Sequence, residues 1–205
     1  MVAYVSERSR RLAEIGGARG HAIDVSTMSA SLTRIPVRNV HERRFAAPAE
    51  QVGALLDTLA SPTDRLWPSL LWPPMRFDRP LQIGAIGGHG PVRYQVDAYE
   101  PGRSVRFALR APGGFDGFHG FEVIPAGAQG TTLRHVLEMN ARGRAMLTWP
   151  AVFRPLHDAL VEDCLDNAAF ALGETARSRT WSLWVRILRA GFRHLTRRRA
   201  PAGAA

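Results

Sequence analysis

Residues 92–110 read VRYQVDAYEPGRSVRFALR. Val92, Tyr94, Val96 and Ala98 alternate with Arg93, Gln95, Asp97 and Tyr99. After the turn Glu100-Pro101-Gly102-Arg103 the alternation resumes, with Val105, Phe107 and Leu109 set against Arg106, Ala108 and Arg110. A period of two sends successive side chains to opposite faces of an extended chain, so each run predicts a half-buried strand. Proline and glycine at the break supply turn geometry. The pattern continues downstream. Pro112-Gly113-Gly114 ends the second strand, and His119, Phe121 and Val123 share one face of a third. After a turn at Pro125–Gly130, Leu133, His135, Leu137 and Met139 alternate with Arg134, Val136 and Glu138. Strands joined by short turns predict an antiparallel meander.

Working outward, Gly84–Gly90 reads as a glycine-rich turn. Residues 60–81 carry Trp67, Pro68, Trp72, Pro73, Pro74 and Pro80, which exclude a regular helix or a central strand and predict a packed loop. Ala49–Leu59 places Val52, Leu55, Leu56 and Leu59 at helical spacing behind Pro48, at a position where helix starts accept proline. Residues 34–46 read as a strand. Past the meander, Trp149, Phe153, Leu156, Leu160, Cys164 and Asn167 recur every three or four residues, predicting a long helix from about Thr148 to Ala176 with Pro155 as a kink point. The class is α+β: a curved antiparallel sheet wrapped around a long C-terminal helix, its one long amphipathic cover. Such a sheet cannot touch the helix along its whole length, so a cavity is expected between them.

All 27 basic residues among the 205 are arginine. Without lysine there is no Schiff-base chemistry and no Walker-type phosphate loop. The net charge of +9 is unevenly spread. Eight arginines and no acid fall in residues 176–205, which leaves 19 arginines against 18 acids before them. The near-neutral body gives no electrostatic reason to expect a nucleic-acid partner. Cys164 is the sole cysteine, which excludes an internal disulfide and a cysteine-based zinc site. Residues 1–33 hold no secretory apolar run and read as a flexible extension, with Met28 an alternative start. The body is expected over 34–176 and a basic amphipathic helix with a disordered end over 177–205. No nucleophile elbow, zinc-protease or dinucleotide fingerprint occurs.

Several stretches, in order, carry a resemblance. Phe45-Ala46-Ala47-Pro48-Ala49-Glu50-Gln51-Val52 is similar to the opening motif of the SRPBCC (START-like, polyketide cyclase/dehydrase, birch-pollen-allergen-like) superfamily. Trp67-Pro68, Tyr99-Glu100-Pro101-Gly102-Arg103, Gly130-Thr131-Thr132-Leu133 and the long C-terminal helix follow in matching order, over about residues 34–175. Gly53 departs from the pattern, which often has Trp or Phe there. The resemblance implies a helix-grip fold and a pocket for lipids, sterols, polyketides or other apolar small molecules. A minority of the superfamily are cyclases, dehydratases or oxygenase domains, and no fixed catalytic set carries over.

His119 and His135 share the parity of the apolar residues on their strands. A tight turn at 125–130 would set Phe121 opposite His135 and aim both imidazoles inward as candidate acid/base groups. With no carboxylate on that face they make a poor metal site, so neither metal nor cofactor is expected. Trp72, Met75, Tyr94, Phe107 and Phe121 are further candidates to line the pocket, as are Met139, Trp149 and Phe153. These residue types are more often plain core. His157, one turn after Phe153, reaches the pocket or its flank. His89 belongs to a hairpin at the pocket mouth and not to a phosphate cradle, because a strand follows it.

In the tail, Trp181, Trp184, Val185, Leu188, Phe192 and Leu195 fall on one helix face and Arg186, Arg189, Arg193 and Arg197 elsewhere. Charges interrupt the run, so it cannot span a bilayer. Trp181, Trp184, Arg186, Arg189 and Arg193 are the expected contacts with an anionic membrane surface, set against a helix packed on its own domain. The expected function is binding of a hydrophobic small molecule or lipid. The alternatives are a cyclase/dehydratase-type enzyme using the histidines and an interaction protein anchored by its tail. The expected location is cytoplasmic, peripheral on the inner face of the membrane.

Overall fold

A computed structural model describes residues 33–176 and 180–199, with side chains described to His194. The expected extension before Thr33, the Met28 start and the end beyond Arg199 lie outside the described residues.

Seven strands form one antiparallel sheet in the order β1-β7-β6-β5-β4-β3-β2. They are β1 (Arg34–Phe45), β2 (Arg76–Phe77), β3 (Ile86–His89), β4 (Val92–Glu100), β5 (Ser104–Ala111), β6 (Phe115–Pro125) and β7 (Thr131–Arg142). The meander stands as its alternation predicts: Tyr94, Val96, Val105, Phe107, Phe121, Leu133 and Leu137 are all buried. The 125–130 turn sets Phe121 opposite His135 and His119 opposite Leu137. Beyond the meander, β1 pairs with β7 over its full length, from Arg34 opposite Arg142 to Phe45 opposite Thr131. This long-range pairing brings His41 directly across from His135.

The helical layer differs from expectation at both ends. A short helix α2 (Ala145–Thr148), a wide π turn (Trp149–Phe153) and α3 (Arg154–Ala171) follow one another without a break. Pro150 and Pro155 have no N–H to donate, and the chain accommodates them near the starts of two successive segments by widening one turn. The helix stops at Ala171 and not near 176 because Gly173 adopts φ +75°. The amide of Glu174 then donates to Ala169 O (2.8 Å) and that of Gly173 to Phe170 O (3.1 Å), a closing motif that needs a left-handed residue. A last helix, α4, runs from Leu183 to Arg199.

The stretch read as a glycine turn, Gly84–Gly90, is instead largely strand β3. A Cβ on Gly87 would lie 2.0 Å from Arg76 O, so this glycine lets a neighbouring strand approach. The Pro/Trp-rich stretch is a loop apart from the two residues of β2. Asp64 organises its start by accepting the amides of Ala60, Leu66 and Trp67. α1 (Ala49–Asp57) buries Val52, Leu55 and Leu56 against the sheet, with Pro48 as its N-cap. One core gathers these residues with Tyr94, Phe107, Leu160 and Leu165, and a smaller one holds Phe115, Leu137, Met139 and Trp149.

Candidate functional site

A cavity of about 390 Å³ lies between the sheet, the helical run and α4. Its sheet wall is Leu109, Phe115, His119 and Leu137, and its helix wall is Trp149, Phe153, Leu156, His157 and Leu160. Leu71 and Trp72 of the loop, with His89, Pro91 and Val92 of the β3–β4 hairpin, close one side, and Arg189, Phe192 and Arg193 of α4 complete the lining. The walls are mainly apolar, with three imidazoles and two guanidinium groups.

Of the residues singled out in the sequence, Trp72, His119, Trp149, Phe153 and His157 border this space. Met75, Tyr94, Phe107, Phe121, His135 and Met139 are buried behind the lining. His89, expected in a hairpin at the pocket mouth, borders the cavity as well, and Leu109, Phe115, Arg189 and Phe192 were not among the pocket candidates. Leu109 and Phe115 follow the parity of the strand pattern, whereas the other three arrive through the hairpin and the docking of α4.

His119 and His135 are both buried, and His119 Nδ1 lies 3.3 Å from His135 Nε2. One of these nitrogens donates and the other accepts. The row continues outward: His135 to His157 at 5.0 Å between ring centroids, and His157 to His41 at 6.1 Å. Burial, reinforced by the neighbouring histidines, holds His119 and His135 well below the ordinary imidazole value. His89 is lowered to about 3, first by burial and then by the fields of His157 and Arg93. These rings are therefore neutral at pH 7 and can offer a lone pair or an N–H to a guest. Among the described residues, His119 Nε2 has no hydrogen-bond partner.

The outer end of the row is charged. His41 Nδ1 meets Glu162 Oε1 at 2.9 Å and its Nε2 meets Asp158 Oδ1 at 3.1 Å. Burial pulls the His41 pKa down, but the hydrogen bonds and charges of Asp158 and Glu162 together raise it. Arg43, buried beside them, donates to Glu162 Oε2 (3.0 Å) and to Asp166. Carboxylates thus stand beside His41 and His157, at the outer end of the row.

Helix α4 packs on its own domain. Val185 and Arg189 are buried, and Trp181 Nε1 and Trp72 Nε1 both donate to Asp163 Oδ2, at 3.0 and 2.6 Å. Trp184 Nε1 donates to Ala151 O (2.8 Å), although its ring is exposed. Of the expected membrane contacts, Arg189, Trp181 and Trp184 thus engage the domain and Arg193 lines the cavity, while Trp184, Arg186 and Arg193 remain exposed. No described helix is long and apolar enough to cross a membrane.

No protein-family model matches the sequence, and no curated protein matches it. Solved structures do. Norcoclaurine synthase from Thalictrum flavum, in complex with dopamine and hydroxybenzaldehyde, is 14% identical with a TM-score of 0.53, over 73% of this chain and 92% of that one. A point mutant of the same enzyme with a transition-state analogue is 16% identical with a TM-score of 0.52, over 69% and 97%. A solution structure from Thermobifida fusca is 17% identical with a TM-score of 0.51, over 70% and 99%. Likeness at this level of identity speaks to architecture alone: the chain has a helix-grip fold, an antiparallel sheet packed on a long helix.

Proposed function

We propose that this chain binds a small molecule or lipid with a largely apolar body in the cavity between the sheet and the long helix. The observation that carries the reading is the cavity itself: about 390 Å³ of space walled by Leu109, Phe115, Leu137, Trp149, Phe153 and Leu160. That volume falls in the range of pockets that enclose drug-sized ligands. His119 Nε2 supplies a polar contact for one hydrogen-bonding group of the guest. The dopamine and hydroxybenzaldehyde held by the norcoclaurine synthase structure support an aromatic guest of modest size. Native mass spectrometry of freshly purified protein, with displacement of an environment-sensitive fluorophore, tests the reading. A co-purifying mass or saturable one-to-one probe binding is expected, and Leu109→Trp, which fills the space, should weaken it. No guest and no probe binding, or full binding by the filled variant, overturns it.

A second reading is acid/base catalysis of the cyclase/dehydratase type, favoured by one observation: His119 borders the cavity with His135 hydrogen-bonded directly behind it. Peripheral membrane association draws support from the exposed Leu183, Trp184 and Ile187, which share α4 with the exposed Arg186 and Arg193. Co-sedimentation with anionic liposomes, comparing the full chain with residues 1–176, tests it. Binding by the full chain alone is expected, and equal binding or none sinks it.

A further inference from the structure

The outer end of the histidine row holds a donor set that the pocket does not need. His41 on β1 and His157 and Asp158 on α3 each bring one ligand-type atom into a group whose members lie within 4.8 Å of one another. We propose that these three residues bind a divalent transition-metal ion, with zinc the best fit.

Zinc–donor bonds of about 2.0–2.1 Å in tetrahedral array put neighbouring donors roughly 3.4 Å apart. His41 Nε2 is 3.1 Å from Asp158 Oδ1, and His157 Nδ1 is 3.7 Å from the same oxygen. Two of the three edges therefore bracket the ideal, and the third, between the two imidazoles, lies within 4.8 Å. Two imidazoles and one carboxylate suit zinc and its neighbours, whereas calcium and magnesium require oxygen donors throughout.

The surroundings match what such a site needs. A metal-bound imidazole usually gives its other N–H to a carboxylate, which fixes tautomer and ring angle. His41 Nδ1 already sits 2.9 Å from Glu162 Oε1, and Glu162 is held by Arg43 at 3.0 Å. Asn39 Nδ2 donates to Asp158 Oδ1 (2.9 Å) and orients that carboxylate.

The alternative is a plain ion cluster, with an imidazolium at His41 bridging two carboxylates. That accounts for His41 but not for His157. Among the described residues neither His157 ring nitrogen has a partner within hydrogen-bond distance, Asp158 Oδ1 standing 3.7 Å from Nδ1, although 15% of the side chain remains accessible and the residue borders the cavity. A buried imidazole must leave one N–H and one lone pair unmet, which is costly. A cation at the edge of Asp158 gives that lone pair a partner. Asp158, with 37% of its side chain exposed, opens the site to solvent.

The test uses the full, untagged chain. Zinc is titrated against a chromophoric chelator, and Co²⁺ is added separately for its visible d–d absorption. One ion per chain is expected, with the intense cobalt bands of a low-coordinate nitrogen/oxygen site. Asp158→Asn and His157→Asn should abolish tight binding. Glu162→Gln, which leaves all three donors in place, should weaken it about 10–100-fold. His194→Gln, on α4, should bind as the parent does. If His157→Asn fails to fold, Asp158→Asn and Glu162→Gln decide the matter. No stoichiometric ion, or parental affinity in Asp158→Asn, overturns the proposal. So does full affinity in Glu162→Gln.

Discussion

The guanidinium carbon of Arg189 lies 3.5 Å from the ring centroid of Trp181 and 4.4 Å from that of Trp72. The side chain is buried, and it also donates to Leu71 O. Charge over two indole faces stabilises by about 0.5–2 kcal/mol, toward the upper end when water is excluded. Arg189 therefore fastens α4 to the loop and closes the cavity. Arg189→Ala should lower stability by about 1–2 kcal/mol, and much of the loss should appear as faster amide exchange across Leu183–Arg199. Unchanged exchange in α4 would show that Arg189 does not hold the helix.

Acidification should unfold the protein early. His89, His119 and His135 all have folded-state pKa values below the ordinary 6.5, with burial the leading cause. The unfolded chain takes up protons on these rings as pH falls through about 6.5, while the folded chain does not. Stability is thus fully present above that value and is lost below it, down to about 3 for His89. Each such ring contributes a slope approaching about 1.4 kcal/mol per pH unit. His41 has the opposite sign. Its raised value gives a contribution complete below 6.5 and lost at higher pH, so it does not mask the acid limb. Urea denaturation at pH 7.0 and 5.5 should show a fall that shrinks in His119→Gln/His135→Gln. Equal stability at the two pH values would mean that the rings charge in place.

The strand faces were legible because parity is local. The alternation around His119 and His135 and the short turn between them fix both the direction and the register of the pair. What no local rule shows is that β1 pairs with β7, and everything at the outer end of the row depends on that pairing. Its components are visible in hindsight: His41 and Arg43 at period two, facing Asp158, Glu162 and Asp166 at period four on a helix. Complementary stripes find each other only once β1 occupies its edge. The apolar face of α4 posed a different problem. Amphipathicity shows that a face is covered, not by what, and Asp163, which accepts both indole N–H groups, offers no signal in sequence. The end of α3 was misplaced because Gly173 was not read as a stop.

Replacing His119 and His135 together separates a binder from an enzyme. Glutamine keeps hydrogen-bonding capacity and approximate size but cannot exchange a proton near neutrality. If the pocket only holds a guest, affinity for that guest or for a displaceable fluorophore should stay within a few-fold of the parent. If the rings carry acid/base work, turnover should fall by about 10²–10⁴ while binding persists. Loss of binding together with loss of the cavity-bound probe would assign the rings to packing instead.

Arg43 should be among the least replaceable charged residues. It is buried, with Glu162 Oε2 at 3.0 Å and Asp166 as its second carboxylate partner, and it joins β1 to α3. Removing it takes from Glu162 and Asp166 the cation they share, although His41 still faces Glu162. Breaking one side of a buried pair costs about 3–5 kcal/mol, and partial exposure of both acids places this case near the lower figure. Arg43→Met should therefore cost about 3 kcal/mol in denaturant titration. In an Asp166→Asn background the cost should be smaller, since one stranded charge is already gone. Identical costs in the two backgrounds would mean that the pair is not coupled.

Gly53 sets helix propensity against packing. It lies inside α1, where alanine would ordinarily stabilise by about 1 kcal/mol. Here an added Cβ would stand 2.2 Å from Gly102 O, and the obstacle is backbone in the β4–β5 turn. That turn is itself pinned, because Asp57 Oδ1 accepts the Gly102 amide at 2.8 Å and the Tyr99 hydroxyl at 2.8 Å. Neither side can yield cheaply, so the overlap must push α1 off the sheet at Val52 and Leu56. Overpacking of this kind costs about 1–3 kcal/mol or more, which outweighs the propensity gain. Gly53→Ala should lower the melting temperature, and Asp57→Ala, which frees the turn, should recover part of that loss in the double variant. A stabilised Gly53→Ala would show that α1 and the turn are not in contact.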